Sequence, residues 1–134
     1  MAEIPPLTTI GTIRSTLRSL DESPRQGDEG APDAWLEIDP RFQPALAGLR
    51  EGDVVVLITW LDRADRAVLT TRPRNDPALP LAGVFATRSP DRPNPLGLHR
   101  VTIRSLDGGR LRVGPLEALD GTPVVDVKIA WGGS

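Results

Sequence analysis

The chain has no cysteine. That absence excludes disulfides, cysteine-ligated zinc, iron–sulfur clusters and thiol nucleophiles. A single histidine, His99, rules out sites built from several imidazoles and weighs against a histidine-centred triad. No metal is expected. No apolar run approaches the ~18 residues of a membrane span, and the opening MAEIPPLTTIG is not laid out as a signal peptide. A soluble, cytoplasmic protein without membrane contact is the expectation. Aromatic residues are few (Trp35, Trp60, Trp131, Phe42 and Phe85), which limits stacking on nucleic-acid bases. The net charge of −2 does not by itself announce a polyanion binder.

What is present fits one domain over residues 1–134, long enough to bury roughly two thirds of the surface of its unfolded form. Fourteen prolines and thirteen glycines, spread along the whole chain, argue against long helices. Short strands are expected at Thr8–Arg14, Trp35–Ile38, Ala67–Thr71 and Arg110–Val113, with Gly83–Thr87 extended. Asp53–Leu61 is a near-continuous β-branched and aromatic run, read as a central strand buried on both faces, with Ala67–Thr71 a possible partner. Leu98–Leu106 alternates, with His99, Val101 and Ile103 on one face and Leu98, Arg100, Thr102 and Arg104 on the other. Asp107-Gly108-Gly109 supplies a hairpin turn, and Val124–Trp131 closes the chain as a further strand. Pro40–Leu49 is the one plausible helix, and a short one. The pattern is that of an all-β barrel or sandwich. Two loops, Asp21–Asp33 and Arg72–Leu81, are long enough to suggest function.

Charge is unevenly spread. Residues 21–53 hold nine acids and three bases, a net of −6, whereas residues 58–104 hold four acids and eight arginines, a net of +4. Arginine suits planar, bidentate contact with phosphate or carboxylate, although such a run also serves as an ordinary solvated surface. The densest chemistry lies in Gly83–Gly97, GVFATRSPDRPNPLG. Pro90, Pro93 and Pro95 each fix φ and restrain the preceding residue, so the loop is stiff. On it stand Arg88, Ser89, Asp91, Arg92 and Asn94. A pre-ordered loop presenting polar groups loses little entropy when a ligand arrives.

This run closely resembles the signature of the TsaA-like (TrmO-type) family, similar to S-adenosylmethionine-dependent tRNA methyltransferases. The likeness extends to Ile10–Ser15 (IGTIRS), Pro24-Arg25-Gln26, Ala64-Asp65-Arg66, Arg72-Pro73-Arg74 and Asp120–Lys128 (DGTPVVDVK). It implies a single compact β-barrel, usually a homodimer, that binds S-adenosylmethionine without a Rossmann domain. The chain indeed has no GxGxxG fingerprint and no alternating βαβ pattern. It ends soon after Lys128, where longer relatives carry a C-terminal extension. The implied acceptor is the exocyclic amine of a threonylcarbamoyl-adenosine beside the tRNA anticodon.

The resemblance also implies roles. Gln26 touches the cofactor, and Arg25 grips either the cofactor carboxylate or a substrate phosphate. Asp62 and Arg63 line the cofactor, but Asp62 stands where the family often has histidine; alternatively the two are a balancing pair at a strand end. Arg88 is the strongest cofactor candidate, and Leu98 packs on the adenine. Asp120, Gly121, Thr122 and Pro123 line the same site, although on propensity alone they read as a plain turn. Arg72, Arg74 and Arg92 are substrate-binding candidates. Asn94 recognises a base edge or orients the acceptor, or else caps its own turn. Asp126, on the same side of its strand as Lys128, polarises the attacking amine or forms a surface pair worth ~0–1 kcal/mol. His99 reads as a satisfied structural histidine rather than a general base.

Methyl transfer needs chiefly alignment, worth ~7–11 kcal/mol of barrier. A tRNA acceptor would draw on Arg63, Arg66, Arg72, Arg74, Arg88, Arg92, Arg100 and Arg104 for phosphate contacts. The alternatives are a methyltransferase of the same fold acting on a small molecule, favoured by the acidic net charge, and a non-catalytic cofactor-binding module, to which Asp62 lends weight.

Overall fold

Among the described residues are the strands β1 (Gly11–Arg14), β2 (Ala34–Ile38), β3 (Val54–Trp60), β6 (Leu96–Asp107), β7 (Arg110–Gly114) and β8 (Pro123–Ile129). These six close into a barrel in the order β1-β2-β7-β6-β3-β8, every neighbouring pair antiparallel. A separate two-stranded ribbon joins β4 (Thr70–Thr71) to β5 (Ala82–Gly83). The computed structural model describes residues 2–19, 30–73 and 76–131. Closure excludes the sandwich and leaves the six barrel strands without a free edge. Among the described residues no helix is long and apolar enough to cross a membrane.

The barrel interior is filled by alternate residues of its strands. Ile13, Leu36, Val55, Leu57, Val101, Ile103, Leu111, Val113 and Val124 are buried in one apolar cluster. Leu57 lies fully inside, so truncation to alanine would cost about 2–5 kcal/mol. His99, Val101 and Ile103 face this interior, as their alternation with Leu98, Arg100, Thr102 and Arg104 requires. The Gly108-Gly109 turn returns the chain into β7, with Gly108 at φ 61°.

Four expectations need correction. First, β3 is central, paired with both β6 and β8, but only one face is fully buried; Val54, Val56, Ile58 and Trp60 on the other are half-exposed. Its β-branched run reflects a barrel wall whose outer side is itself largely apolar. Second, Ala67–Thr71 yields only Thr70–Thr71, paired with β5 and not with β3, both of whose edges are already taken. Third, Gly83–Thr87 does not stay extended: Val84–Ala86 winds into one 3₁₀ turn, closed by Thr87 N–H to the Val84 carbonyl (3.1 Å). Fourth, the expected helix is a 3₁₀ segment, Pro40–Leu46. Pro44 inside it has no N–H to give, and i→i+3 bonds such as Phe42 N–H to Asp39 C=O (2.9 Å) take over. Asp39 caps it by accepting from the Arg41 amide, a bond that lowers the Asp39 pKa. Phe42, Leu46 and Leu49 pack the segment against the core.

One irregularity decides where the last strand points. Opposite β8, Ile58 pairs with Asp126 and Thr59 with Val124, so Val125 is an extra residue. Val124 is fully buried. Strict alternation would send Asp126 inward after it; the bulge shifts the phase by one and turns Asp126 and Lys128 outward, their side chains 50% and 66% exposed.

Candidate functional site

Three adjacent strands bring three chain segments to one end of the barrel. β3 ends at Trp60 and runs into Asp62 and Arg63. β6 starts at Leu96, opposite Trp60, and is preceded by the proline-rich loop. β8 starts after the turn Asp120–Thr122, with Val124 opposite Thr59. The Leu61 amide donates to the Pro95 carbonyl (2.8 Å), fastening the exit of β3 to the end of the loop. Asp62, Arg63, Asn94 and the turn 120–123 thereby share one rim, and Leu98 lies on the outer face one row in from it. Asp62 is half-buried and Arg63 exposed, and Arg63 donates to the Arg18 carbonyl (3.0 Å) instead of forming an ion pair with Asp62 among the described residues.

The 120–123 turn is firmly held. Its Asp120 carboxylate accepts from the Ser15 amide (3.0 Å), and the Asp120 amide donates to Leu17 C=O (2.7 Å). The Gly121 amide reaches Ile13 C=O (2.8 Å), and the buried Thr122 hydroxyl reaches Leu119 C=O (2.7 Å). Gly121 sits at φ 86°, a conformation that favours glycine, and is exposed. The turn thus presents backbone at the rim, its side chains being engaged inward.

The proline-rich loop is stitched by side chains. Arg92 donates from Nε to Ser89 C=O (2.9 Å) and from Nη2 to the carbonyls of Thr87 (2.6 Å) and Val84. Asp91 accepts from the Asp65 amide (2.8 Å). Arg66 lies over the Trp60 ring (5.1 Å), donates to Pro93 C=O (2.7 Å) and reaches Asn94 Oδ1 (3.3 Å). Arg88, exposed on this fixed loop, has no hydrogen-bond or ion-pair partner among the described residues.

On the outer face, Leu98, Ile58 and Asp126 form a row across β6, β3 and β8. Strand spacing of about 4.8 Å puts the ends of that row some two spacings apart. Asp126 Oδ2 lies 3.6 Å from Lys128 Nζ. Leu98 is 51% exposed. Beside this row lies a shallow cleft of about 530 Å³, lined by Ile10, Phe42, Ile58, Leu96 and Asp126 among others. The cofactor candidates Asp62, Arg63, Arg88 and Asp120 do not line it. Arg72 stands apart, donating to the Leu79 carbonyl (2.5 Å). Arg25, Gln26 and Arg74 lie outside the described residues.

Sequence reasoning missed one connection. His99 Nε2 lies 2.7 Å from Thr59 Oγ1, and Nδ1 lies 2.5 Å from Glu117 Oε1. The inward face of His99 was legible from alternation; its partners, 40 and 18 residues away, carry no local signal.

These segments offer an exposed guanidinium at Arg88, outward backbone at Gly121 and an exposed apolar side chain at Leu98. No group of three or more acidic or histidine side chains among the described residues is placed to hold a metal. Residues 12–130 match the model of the tRNA-methyltransferase O N-terminal domain. The chain is 42% identical over 122 residues to a probable S-adenosyl-L-methionine-binding protein of Archaeoglobus fulgidus, covering 91% of this chain but 33% of that protein. A second protein of that organism, an S-adenosyl-L-methionine-binding protein, is 35% identical over 91% of this chain and 86% of its own length. The crystal structure of TrmO from Pseudomonas aeruginosa superposes with a TM-score of 0.77 at 32% identity, over 96% of this chain and 57% of that one. The chain therefore spans only part of several of these relatives.

Proposed function

The chain belongs to the tRNA-methyltransferase O N-terminal domain family, and on that premise we propose that it binds S-adenosylmethionine at the barrel rim and methylates an exocyclic adenine amine. The proposed acceptor is threonylcarbamoyl-adenosine beside a tRNA anticodon, and the proposed working form is a cytoplasmic homodimer. The observation that carries the reading is the convergence of Asp62–Arg63, the proline-rich loop and the 120–123 turn on adjacent strands. They are the segments through which the family resemblance assigns the cofactor.

When bound, S-adenosylmethionine supplies a methyl group already activated by its positive sulfur. The chain's own part is binding and alignment, which supply most of what such a displacement needs. Arg88 is free to take a carboxylate in bidentate fashion. Leu98 offers an apolar face to the adenine. Gly121 allows close approach of backbone to the ribose, and Asp62 is exposed to accept from its hydroxyls. The guanidinium of Arg66 has only donors, so Asn94 turns its oxygen to it and points its NH₂ outward. That NH₂ can hold a carbonyl of the acceptor. Asp126, outward beside Ile58 and one row from the rim, takes the proton that the amine loses. Arg25 and Gln26 complete the cofactor site in this proposal, while Arg72 and Arg74 serve the substrate. The outer face of β3 and β6, with Val56, Ile58 and Leu96, is the surface on which two copies would meet.

A second reading, a small-molecule acceptor, is favoured by how the arginines are spent. Arg63, Arg66, Arg72 and Arg92 all donate to backbone carbonyls of the chain itself, and Arg104 approaches Asp33 at 3.5 Å. Fewer guanidiniums are then free for phosphates. Incubating the protein with methyl-labelled S-adenosylmethionine and tRNA from cells lacking the modification separates the two. Label in the RNA that declines steeply with salt supports tRNA. Intact cofactor binding without label in the RNA moves the assignment to the small molecule.

A further inference from the structure

We propose that His99 is a positioning residue for the cofactor site, a buried imidazole that ties together the three chain segments carrying that site. The inference rests on the reading of the barrel rim as the S-adenosylmethionine site. Thr59 stands three positions before Asp62, Glu117 three before Asp120, and His99 itself directly follows Leu98. One side chain therefore bridges the exit of β3, the start of β6 and the approach to the 120–123 turn.

The bonding is directional. Glu117 as a carboxylate can only accept, so Nδ1 of His99 carries a hydrogen toward it at 2.5 Å. In the neutral ring Nε2 then accepts from the Thr59 hydroxyl at 2.7 Å. The His99 side chain is 4% exposed and that of Glu117 17%, and Thr59 is fully buried. Every buried side-chain polar atom among the described residues has a partner. Such a network in an otherwise apolar barrel fixes one arrangement, because each member left unpaired would be costly. Among the described residues, Glu117 is the one acidic side chain bonded to the ring.

Gly97 transmits that arrangement to the site. A Cβ at this position would lie 2.5 Å from Thr59 Oγ1 and 2.7 Å from His99 Nε2, so the backbone of residue 97 rests directly on the relay. Leu98 follows it, and Pro95, whose carbonyl receives the Leu61 amide, precedes it by two residues. A shift of the imidazole would displace both the adenine-facing leucine and the root of the loop that holds Asn94 and Arg88.

The test pairs disruptive with conservative variants. Thr59→Val keeps the shape and removes the hydroxyl, while Thr59→Ser keeps the hydroxyl; Glu117→Leu removes the acceptor, while Glu117→Gln keeps one. S-adenosylmethionine affinity is measured by calorimetry beside the thermal midpoint of each protein. Thr59→Val and Glu117→Leu should weaken binding roughly tenfold in proteins that still unfold cooperatively, the size of one typical hydrogen bond. Thr59→Ser and Glu117→Gln, which keep a hydrogen-bonding group, should restore it to within about threefold of the parent. Lowered midpoints with unchanged affinity would make the relay merely structural and overturn the inference, as would failure of both conservative variants to rescue. If Thr59→Val does not fold, the Glu117 pair decides alone. Wild-type protein that binds no S-adenosylmethionine overturns the cofactor reading itself, a result distinguishable from all of these.

Discussion

Arg66 Nη2 stands 3.3 Å from Asn94 Oδ1 while its Nε donates to the carbonyl of Pro93 at 2.7 Å. One guanidinium, resting on the Trp60 ring, thus fixes both the backbone and the amide orientation of the residue that the proposed mechanism uses to hold the acceptor. Arg66→Ala should lower kcat/KM for methyl transfer by roughly 10–100-fold, the scale of an ångström-sized misplacement. The affinity for S-adenosylmethionine should change far less. Steady-state kinetics beside a binding titration check this split; equal losses in both would place Arg66 in the cofactor site instead.

Arg92 predicts the opposite behaviour. It is half-buried and gives hydrogen bonds to the carbonyls of Ser89, Thr87 and Val84, so its removal takes a donor from each of the three, of which Val84 keeps the Thr87 amide and hydroxyl. Arg92→Ala should cost about 1–3 kcal/mol of stability. Urea unfolding reads this directly. A variant as stable as the parent would show that the loop does not depend on this guanidinium and would return Arg92 to solvent or substrate.

Gly97 tolerates no side chain. An alanine Cβ would press on Thr59 Oγ1 and His99 Nε2 at 2.5 and 2.7 Å. Neither atom is the end of a long flexible chain, so something in the barrel end must shift. Gly97→Ala should destabilise the fold by about 1–3 kcal/mol, as overpacking does in a filled core. Thermal unfolding against the wild type measures it, and an unchanged midpoint would mean that the relay can give way freely.

The sequence carried much of this architecture, for reasons visible in particular residues. The alternation of His99, Val101 and Ile103 against Leu98, Arg100 and Thr102 is local, and it placed β6 and its inward face correctly. The Asp107-Gly108-Gly109 turn announced the β6–β7 hairpin in the same way. The β-branched content of β3 said strand but could not say how many faces are covered, since Val56 and Ile58 line an outer wall rather than a second core. Asp126 and Lys128 were legible as sharing a side, but which side depends on the extra residue Val125, and a bulge is a property of the pairing with β3. The candidate site was legible as a set of short motifs. What holds them together, through Arg66, Ser15 and the Glu117–His99–Thr59 relay, is long-range in sequence and left no mark in it.

The central claim, that the rim of the barrel holds S-adenosylmethionine, is tested most directly by titrating it calorimetrically into the wild type and Arg88→Ala. Arg88 is exposed and unpartnered among the described residues, so its loss should leave stability within about 0.5 kcal/mol. Losing a charge-assisted contact to the carboxylate should weaken binding by roughly 10–100-fold, the equivalent of about 1.5–3 kcal/mol. Equal affinity in the two proteins, or no binding to the wild type, would contradict the account.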